Sequence, residues 1–147
     1  MSTYLSLHYH LVFATKNREL RIKPTWMPRL HEYLGGSIRG MGGVCEIVGG
    51  VEDHVHLLVG LKATHTLSEV MRELKKGSSA WVHHAIGDKS FQWQEGYAAF
   101  TLGATTRASV RGYIADQEKH HRKQSFRDEL IHLLQRAGVP FEARYLE

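Results

Sequence analysis

The chain has 147 residues, 42% of them hydrophobic, which suits one domain, residues 1–147, with a sizeable core. Its single cysteine, Cys45, excludes an intrachain disulfide and a zinc ribbon. Nineteen Lys and Arg against fifteen acids leave a net charge of +4, which permits a nucleic-acid partner without demanding one. The opening MSTYLSLHYH has no basic segment followed by an apolar run, so no signal peptide is expected. No apolar run reaches membrane-spanning length, so no membrane partner is expected and the cytoplasm is the default location.

Tyr4 to Ala14 alternates, with Leu5, Leu7, Tyr9, Leu11 and Phe13 on one face and His8, His10 and Val12 on the other, the pattern of a half-buried strand. A basic loop, Thr15 to Arg18, follows. Thr25 is placed to cap a helix that carries Pro28 in its first turn and Trp26, Leu30, Leu34 and Ile38 at helical spacing. Glycines 40, 42 and 43 stop it. They lack the Lys-Ser/Thr of a phosphate-binding loop. Val44 to Val48 reads as a short strand, and Gly49-Gly50 with Glu52 and Asp53 as the turn into the next.

That next strand carries His54-Val55-His56. Side chains two apart on a strand leave the same face, so both imidazoles point one way while Val55, Leu57 and Val59 form an apolar stripe on the other. Paired imidazoles opposite a core stripe suit a metal site. With 11 histidines, about one His-x-His arises by accident. His8-Tyr9-His10 is a second such pair, with no aliphatic residue between.

Thr66 and Glu69 read as a capping box for a second helix with Leu67, Val70, Met71, Leu74 and Trp81 on its apolar side. Arg72, Lys75, Lys76 and Ser79 share another side, as a solvated face or as nucleic-acid contacts. Phe91 to Leu102 supplies an extended stretch and a last strand. Thr105 or Thr106 starts a third helix running to about Lys123, and Ser125-x-x-Asp128 opens a short fourth with Leu130, Leu133 and Leu134, stopped by Gly138 and Pro140.

The order β-α-β-β-α-β followed by two helices predicts an α+β, ferredoxin-like fold. Its antiparallel sheet has helices on one face, and the face bearing His8, His10, His54 and His56 is left to be covered by the third helix. That helix contains Tyr113 and Gln117, four apart and on one side. A tyrosine can form a covalent intermediate when helped, since its free pKa is about 10. A glutamine carbonyl oxygen suits a hard cation beside two imidazoles. The run Lys119-His120-His121-Arg122-Lys123 adds positive charge next to Tyr113, where a phosphate backbone would lie.

With these residues in place, the chain resembles the single-tyrosine transposases of the HUH endonuclease superfamily, in particular the insertion-sequence and REP-associated tyrosine transposases. The resemblance rests on His54-Val55-His56, on Tyr113-Ile114-Ala115-Asp116-Gln117, on Tyr9 to Phe13 with Thr15-Lys16, and on Trp93-Gln94-x-Gly96-Tyr97. It implies a DNA transposase that cleaves and rejoins hairpin-bearing single-stranded DNA through a 5′-phosphotyrosine on Tyr113, without ATP. It further implies Mg²⁺ or Mn²⁺ held by His54, His56 and Gln117. A homodimer is implied as well, in which the tyrosine helix of one subunit completes the histidine site of the other. The short Gly103–Thr106 connection from an edge strand favours that crossing.

Lys16, Arg18, Arg72, Lys75, Lys76, Lys119, Arg122 and Lys123 are the expected DNA contacts. His10 is expected near the site rather than as a ligand, and Tyr97 is the alternative nucleophile. Trp93 is open to base stacking or core packing, and Cys45 to a small buried role. Two other functions compete. One is a non-catalytic RNA- or DNA-binding module on the same sheet, although no Lys/Arg-Gly-Phe-Gly/Ala-Phe-like run is present. The other is a metal hydrolase of small phosphoesters, which would not need Tyr113.

Overall fold

The computed structural model describes residues 1–121 and 123–146. Its strands are β1 (His8–Ala14), β2 (Val44–Val51), β3 (His54–Gly60) and β4 (Ala98–Leu102), all antiparallel in the order β2-β3-β1-β4. Its main helices are α1 (Met27–Gly40), α2 (Leu67–Trp81), α3 (Arg107–Ala115), α4 (Gln117–His121) and α5 (Phe126–Ala137). The predicted ferredoxin-like order is present, with β1 and β3 at the centre.

Alternation sorts the central strands cleanly. Leu11, Phe13, Val55, Leu57 and Val59 are fully buried against Leu30, Leu34 and Ile38 of α1 and Val70, Met71 and Leu74 of α2. The opposite face is not open. Val12 and Ala14 pack there against Phe126, Leu130 and Leu134 of α5, while α3 and α4 lie over β2 and β3. Every residue from His54 to Val59 is therefore buried, apolar on one side and histidine-bearing on the other.

Several local expectations shift. The first strand starts at His8 because His8 already pairs with Gly60 and Leu102, the last residues of β3 and β4; Tyr4 and Leu5 have no strand to pair with and are exposed. β2 runs on through Gly49 and Gly50, paired with His56 and Val55, and only Glu52-Asp53 forms the turn. Neither Thr25 nor Thr66 makes a side-chain cap; α1 begins instead through backbone bonds from Trp26 and Met27 to the Lys23 carbonyl. Ser125 does cap α5, accepting from the Asp128 N–H at 3.2 Å. The predicted third helix is broken at Asp116 into α3 and α4, so Tyr113 and Gln117 sit on either side of the break.

Gly49 sets how closely α3 approaches the sheet. A Cβ built there would overlap the carbonyl oxygen and Cγ2 of Ile114, so only glycine admits the helix at this distance. Gly112, two residues earlier on the same helix, has nothing within 4 Å of its Cβ position. Gly49→Ala is expected to destabilise the fold by roughly 1–3 kcal/mol through overpacking, and Gly112→Ala to stabilise it by up to about 1 kcal/mol through helix propensity. Urea unfolding of both variants checks this. Equal effects of one sign would mean that α3 does not rest on β2.

Candidate active site

Three segments converge over the buried end of β3. His54 and His56 come from the strand, Tyr113 from the end of α3, Gln117 and His121 from α4, and Glu129 from α5. His54, His56, Gln117 and Glu129 are each 1% exposed or less. The Glu129 carboxylate is the hub. Its Oε1 lies 3.3 Å from His54 Nε2, 3.1 Å from His56 Nε2 and 3.1 Å from His121 Nε2. Its Oε2 accepts from the Tyr113 hydroxyl and, at 3.0 Å, from Gln117 Nε2. Gln117 Oε1 faces His54 Nε2 at 3.0 Å and His121 Nε2 at 3.1 Å.

Each strand histidine is also held from behind. His54 Nδ1–H donates to Asp53 Oδ1 at 2.6 Å, and His56 Nδ1 lies 2.7 Å from His10 Nε2. Such partners fix ring orientation and tautomer. The charges divide accordingly. Burial opposes a charged His54, but hydrogen bonds to Asp53 and Glu129 outweigh it and raise the ring to about 9. Burial lowers His56 to about 4 and, with the neighbouring His56, lowers His10 to about 3, so both are neutral at pH 7. As neutral rings, His10 Nε2–H donates to His56 Nδ1 and His56 Nε2–H donates to Glu129. Burial also works against an ionised Glu129, yet its bonds to His121, His54 and His56 hold it far below the usual carboxylate range. Burial and the adjoining carboxylate push the Tyr113 phenol above its ordinary value.

One ligand atom from each of His54, His56, His121 and Glu129 lies within 4.8 Å of the others. Imidazole, carboxylate and the Gln117 carbonyl oxygen together suit a divalent cation such as Mn²⁺, and the oxygens suit Mg²⁺. The donor set fits a metal.

Residues 3–117 match the family model described as "Transposase IS200 like". The chain belongs to the IS200-like transposase family. The transposases for insertion sequence element IS200 of Salmonella typhimurium LT2 and Salmonella typhi are each 29% identical over 122 residues, 74% of this chain and 75% of theirs. A solved structure described as a candidate transposase from Deinococcus radiodurans R1 is 25% identical with a TM-score of 0.66, covering 80% of this chain and 95% of its own. A REP-associated tyrosine transposase bound to a REP hairpin shares the fold at a TM-score of 0.62 and 20% identity, over 82% of this chain and 74% of its own.

In this IS200-like transposase the four residues singled out from sequence, His54, His56, Tyr113 and Gln117, come together. They do so within one chain: the short connection lets α3 lie over its own histidines. Five of the eight expected DNA contacts fall in two places. Lys16, Lys75 and Lys76 line a cleft with Gln92 and Glu95, although Lys75 is tied to the Gln94 and Gly96 carbonyls at 2.6 and 2.8 Å. Lys119 and Lys123 line another cleft beside Asp116 and Asp128. Arg18 is half-buried, Arg72 is exposed beside Glu73, and Arg122 lies outside the described residues. Trp93 packs in the core and donates to Ser78 Oγ at 2.9 Å. The sheet face on which RNA-recognition modules stack bases is covered here by α3, α4 and α5.

Sequence reasoning missed Glu129 and His121. Both had a signal. Glu129 lies in the register of Phe126, Leu130 and Leu133, a carboxylate on the apolar side of an amphipathic helix. His121 is four residues after Gln117.

The shifts fix a pH profile. His54, raised to about 9, contributes stability that is complete below its unfolded value of 6.5 and is lost as pH rises through 9. His10 and His56, lowered to about 3 and 4, resist protonation when folded, so stability falls as pH drops below 6.5. Metal-free protein is therefore expected to be most stable near pH 6.5, losing on the order of 3 kcal/mol between there and pH 9.5. Because a cation needs the His54 lone pair, Mn²⁺ binding is expected to release a proton below pH 9 and to tighten with pH. Denaturation at several pH values, and calorimetry in buffers of different ionisation enthalpy, check both. Stability that climbs steadily to pH 9.5, or binding without proton release, would contradict this charge assignment.

Proposed function

We propose that this transposase cleaves and rejoins single-stranded DNA beside hairpins, with Tyr113 as nucleophile and a divalent cation held by His54, His56 and Gln117. The observation that supports the reading is the meeting of the Tyr113 hydroxyl, through Glu129, with those three donors in one buried cluster. The hairpin follows the REP-associated relative, which was solved with one.

The Tyr113 oxygen forms a bond to phosphorus as the bond to the 3′ oxygen breaks. The 5′-phosphate stays on the tyrosine, and the leaving 3′ oxygen takes up a proton and becomes a free hydroxyl. Attack by a second 3′-hydroxyl reverses the step, so the bond energy is conserved and no ATP is consumed. Glu129, which accepts the phenol hydrogen bond, gives the phenol proton an exit. Bound Mg²⁺ or Mn²⁺ would supply polarisation of a non-bridging phosphoryl oxygen and alignment of the attack. Asp53 and His10 keep the two rings aimed, and Gln117 bridges His54 to Glu129. The lysines of the two basic clefts carry the phosphate backbone. Assembly as a homodimer, with the tyrosine helix serving its own subunit's histidines or its partner's, belongs to the same reading. A hydrolase of small phosphoesters would leave the tyrosine without a role.

Labelled oligonucleotides carrying a hairpin and a single-stranded flank test this. Nicking is expected to require divalent metal, to stop in EDTA, and to leave protein joined to the 5′ side on a denaturing gel. Tyr113→Phe is expected to remove both nicking and adduct while DNA binding survives, because the ring and its packing stay. An adduct that persists in this variant would shift the role to Tyr97 or another residue. Gln117→Ala is expected to weaken Mn²⁺ binding roughly 10–100-fold with the fold intact; unchanged binding would remove Gln117 from the ligand set.

A further inference from the structure

A cavity of about 690 Å³ opens beside the Tyr113 hydroxyl, between β4, α3 and α5. Tyr113, Glu129 and His10 lie at its inner end. Phe100 from β4, Val110 from α3 and Leu133 from α5 supply apolar walls, and Arg136 stands at the exposed rim. Two other sides of the cluster are filled. Towards β2, the following residue Ile114 is buried against Gly49. Beyond the cluster, Phe126 stacks on His54 at 4.3 Å between ring centroids.

Resting on the reading of Tyr113 as the nucleophile, we infer that this cavity is a nucleotide subsite that takes the nucleoside flanking the scissile phosphate, with its base between Phe100, Val110 and Leu133. A phosphodiester at the Tyr113 oxygen must place at least one flanking nucleoside within a few ångströms of it. The cavity is lined by Tyr113 itself, and its volume lies within the range of pockets that enclose small ligands. A base has two apolar faces and a polar edge, which matches walls from three elements around an open, polar mouth. The rim suits the rest of the nucleotide. Arg136 makes no ion pair among the described residues and is close enough to Tyr113 for its charge to act on the phenol, so it is placed to meet a phosphate next to the reacting one. Ser109 and Thr106, one and two turns before Tyr113 on α3 and its cap, add hydroxyls along the same wall.

The subsite predicts that the protein itself reads one base next to the cut. The four deoxynucleoside 3′,5′-bisphosphates serve as probes, titrated into the wild-type protein and followed by amide NMR. At least one is expected to bind saturably, shifting the amides of Phe100, Val110, Leu133 and Arg136. Leu133→Trp, which fills the cavity from the helix side, is expected to weaken that binding at least about tenfold, as is Arg136→Gln, whose exposed position leaves the fold intact. In hairpin DNA bound to Tyr113→Phe protein, an abasic site at one of the two positions flanking the mapped cut is expected to weaken binding about tenfold, and Leu133→Trp to erase that difference. Bisphosphates that leave these amides unmoved at millimolar concentration, together with abasic sites that cost nothing, would overturn the subsite even where Tyr113-dependent nicking is intact. Saturable binding in the cavity by a chain whose Tyr113→Phe variant still forms the adduct would keep the subsite and overturn the nucleophile instead.

Discussion

A buried carboxylate cannot stay ionised without partners, and much of the histidine face depends on how this chain supplies them to Glu129. Five side chains surround it, three imidazoles, an amide and a phenol, drawn from β3, α3 and α4. The positive charge that balances it rests on His54, which is itself tied to Asp53 in the turn before β3. One ion pair thus links the hairpin, the tyrosine helix and α5. Removing either charge alone would leave the other buried and unmatched, a loss typically of 3–5 kcal/mol.

The same arrangement places stability and chemistry in opposition. The three imidazole nitrogens that solvate Glu129 are the ones a cation would use, and burial together with the carboxylate that anchors α5 keeps the Tyr113 phenol protonated. A divalent cation entering among them would take over the compensation of Glu129 and release the His54 proton. It would also favour an ionised phenol nearby. For His56 Nε2 to serve a cation, that nitrogen would give up its proton to solvent, the shared proton would sit on His56 Nδ1, and His10, now accepting at Nε2, would take up a proton at Nδ1 to stay neutral. His10 is therefore more than a neighbour: with a proton leaving His56 Nε2 and one arriving at His10 Nδ1, both rings change tautomer in place.

Much of this was legible in the sequence because β3 obeys a period of two. Val55, Leu57 and Val59 had to face a core, which sent His54 and His56 to the other side together. Tyr113 and Gln117 were readable as a pair at helical spacing, and α1 and α5 by their apolar stripes. What escaped had physical causes. Caps at Thr25 and Thr66 are local suggestions that tertiary contacts overrode. Gly49-Gly50 looked like a turn because glycine serves both turns and close helix approach, and only the position of Ile114 distinguishes the two. Glu129 was hidden because an acid in a helix is read as solvated unless its register is checked against Leu130 and Leu133. The break at Asp116 leaves no mark in the hydrophobic pattern.

The line that α3 takes along β2 brings Tyr113 to the histidines. β4 is an edge strand, with β1 and then β3 between it and β2. Three strand spacings of about 4.8 Å amount to about 14 Å. A nine-residue helix rises about 13 Å. Arg107, the first residue of α3, already pairs with Glu46 of β2, and Ile114, its eighth, meets Gly49 of the same strand, so the helix runs along β2 and Tyr113 falls beside β3 and His56. Gly103 to Thr106, with the reach of the Arg107 side chain, brings the chain from the β4 edge to contact with β2. Two contacts with β2, Arg107 with Glu46 and Ile114 with Gly49, therefore fix the line of the helix, and that line is what brings Tyr113 over the histidine strand.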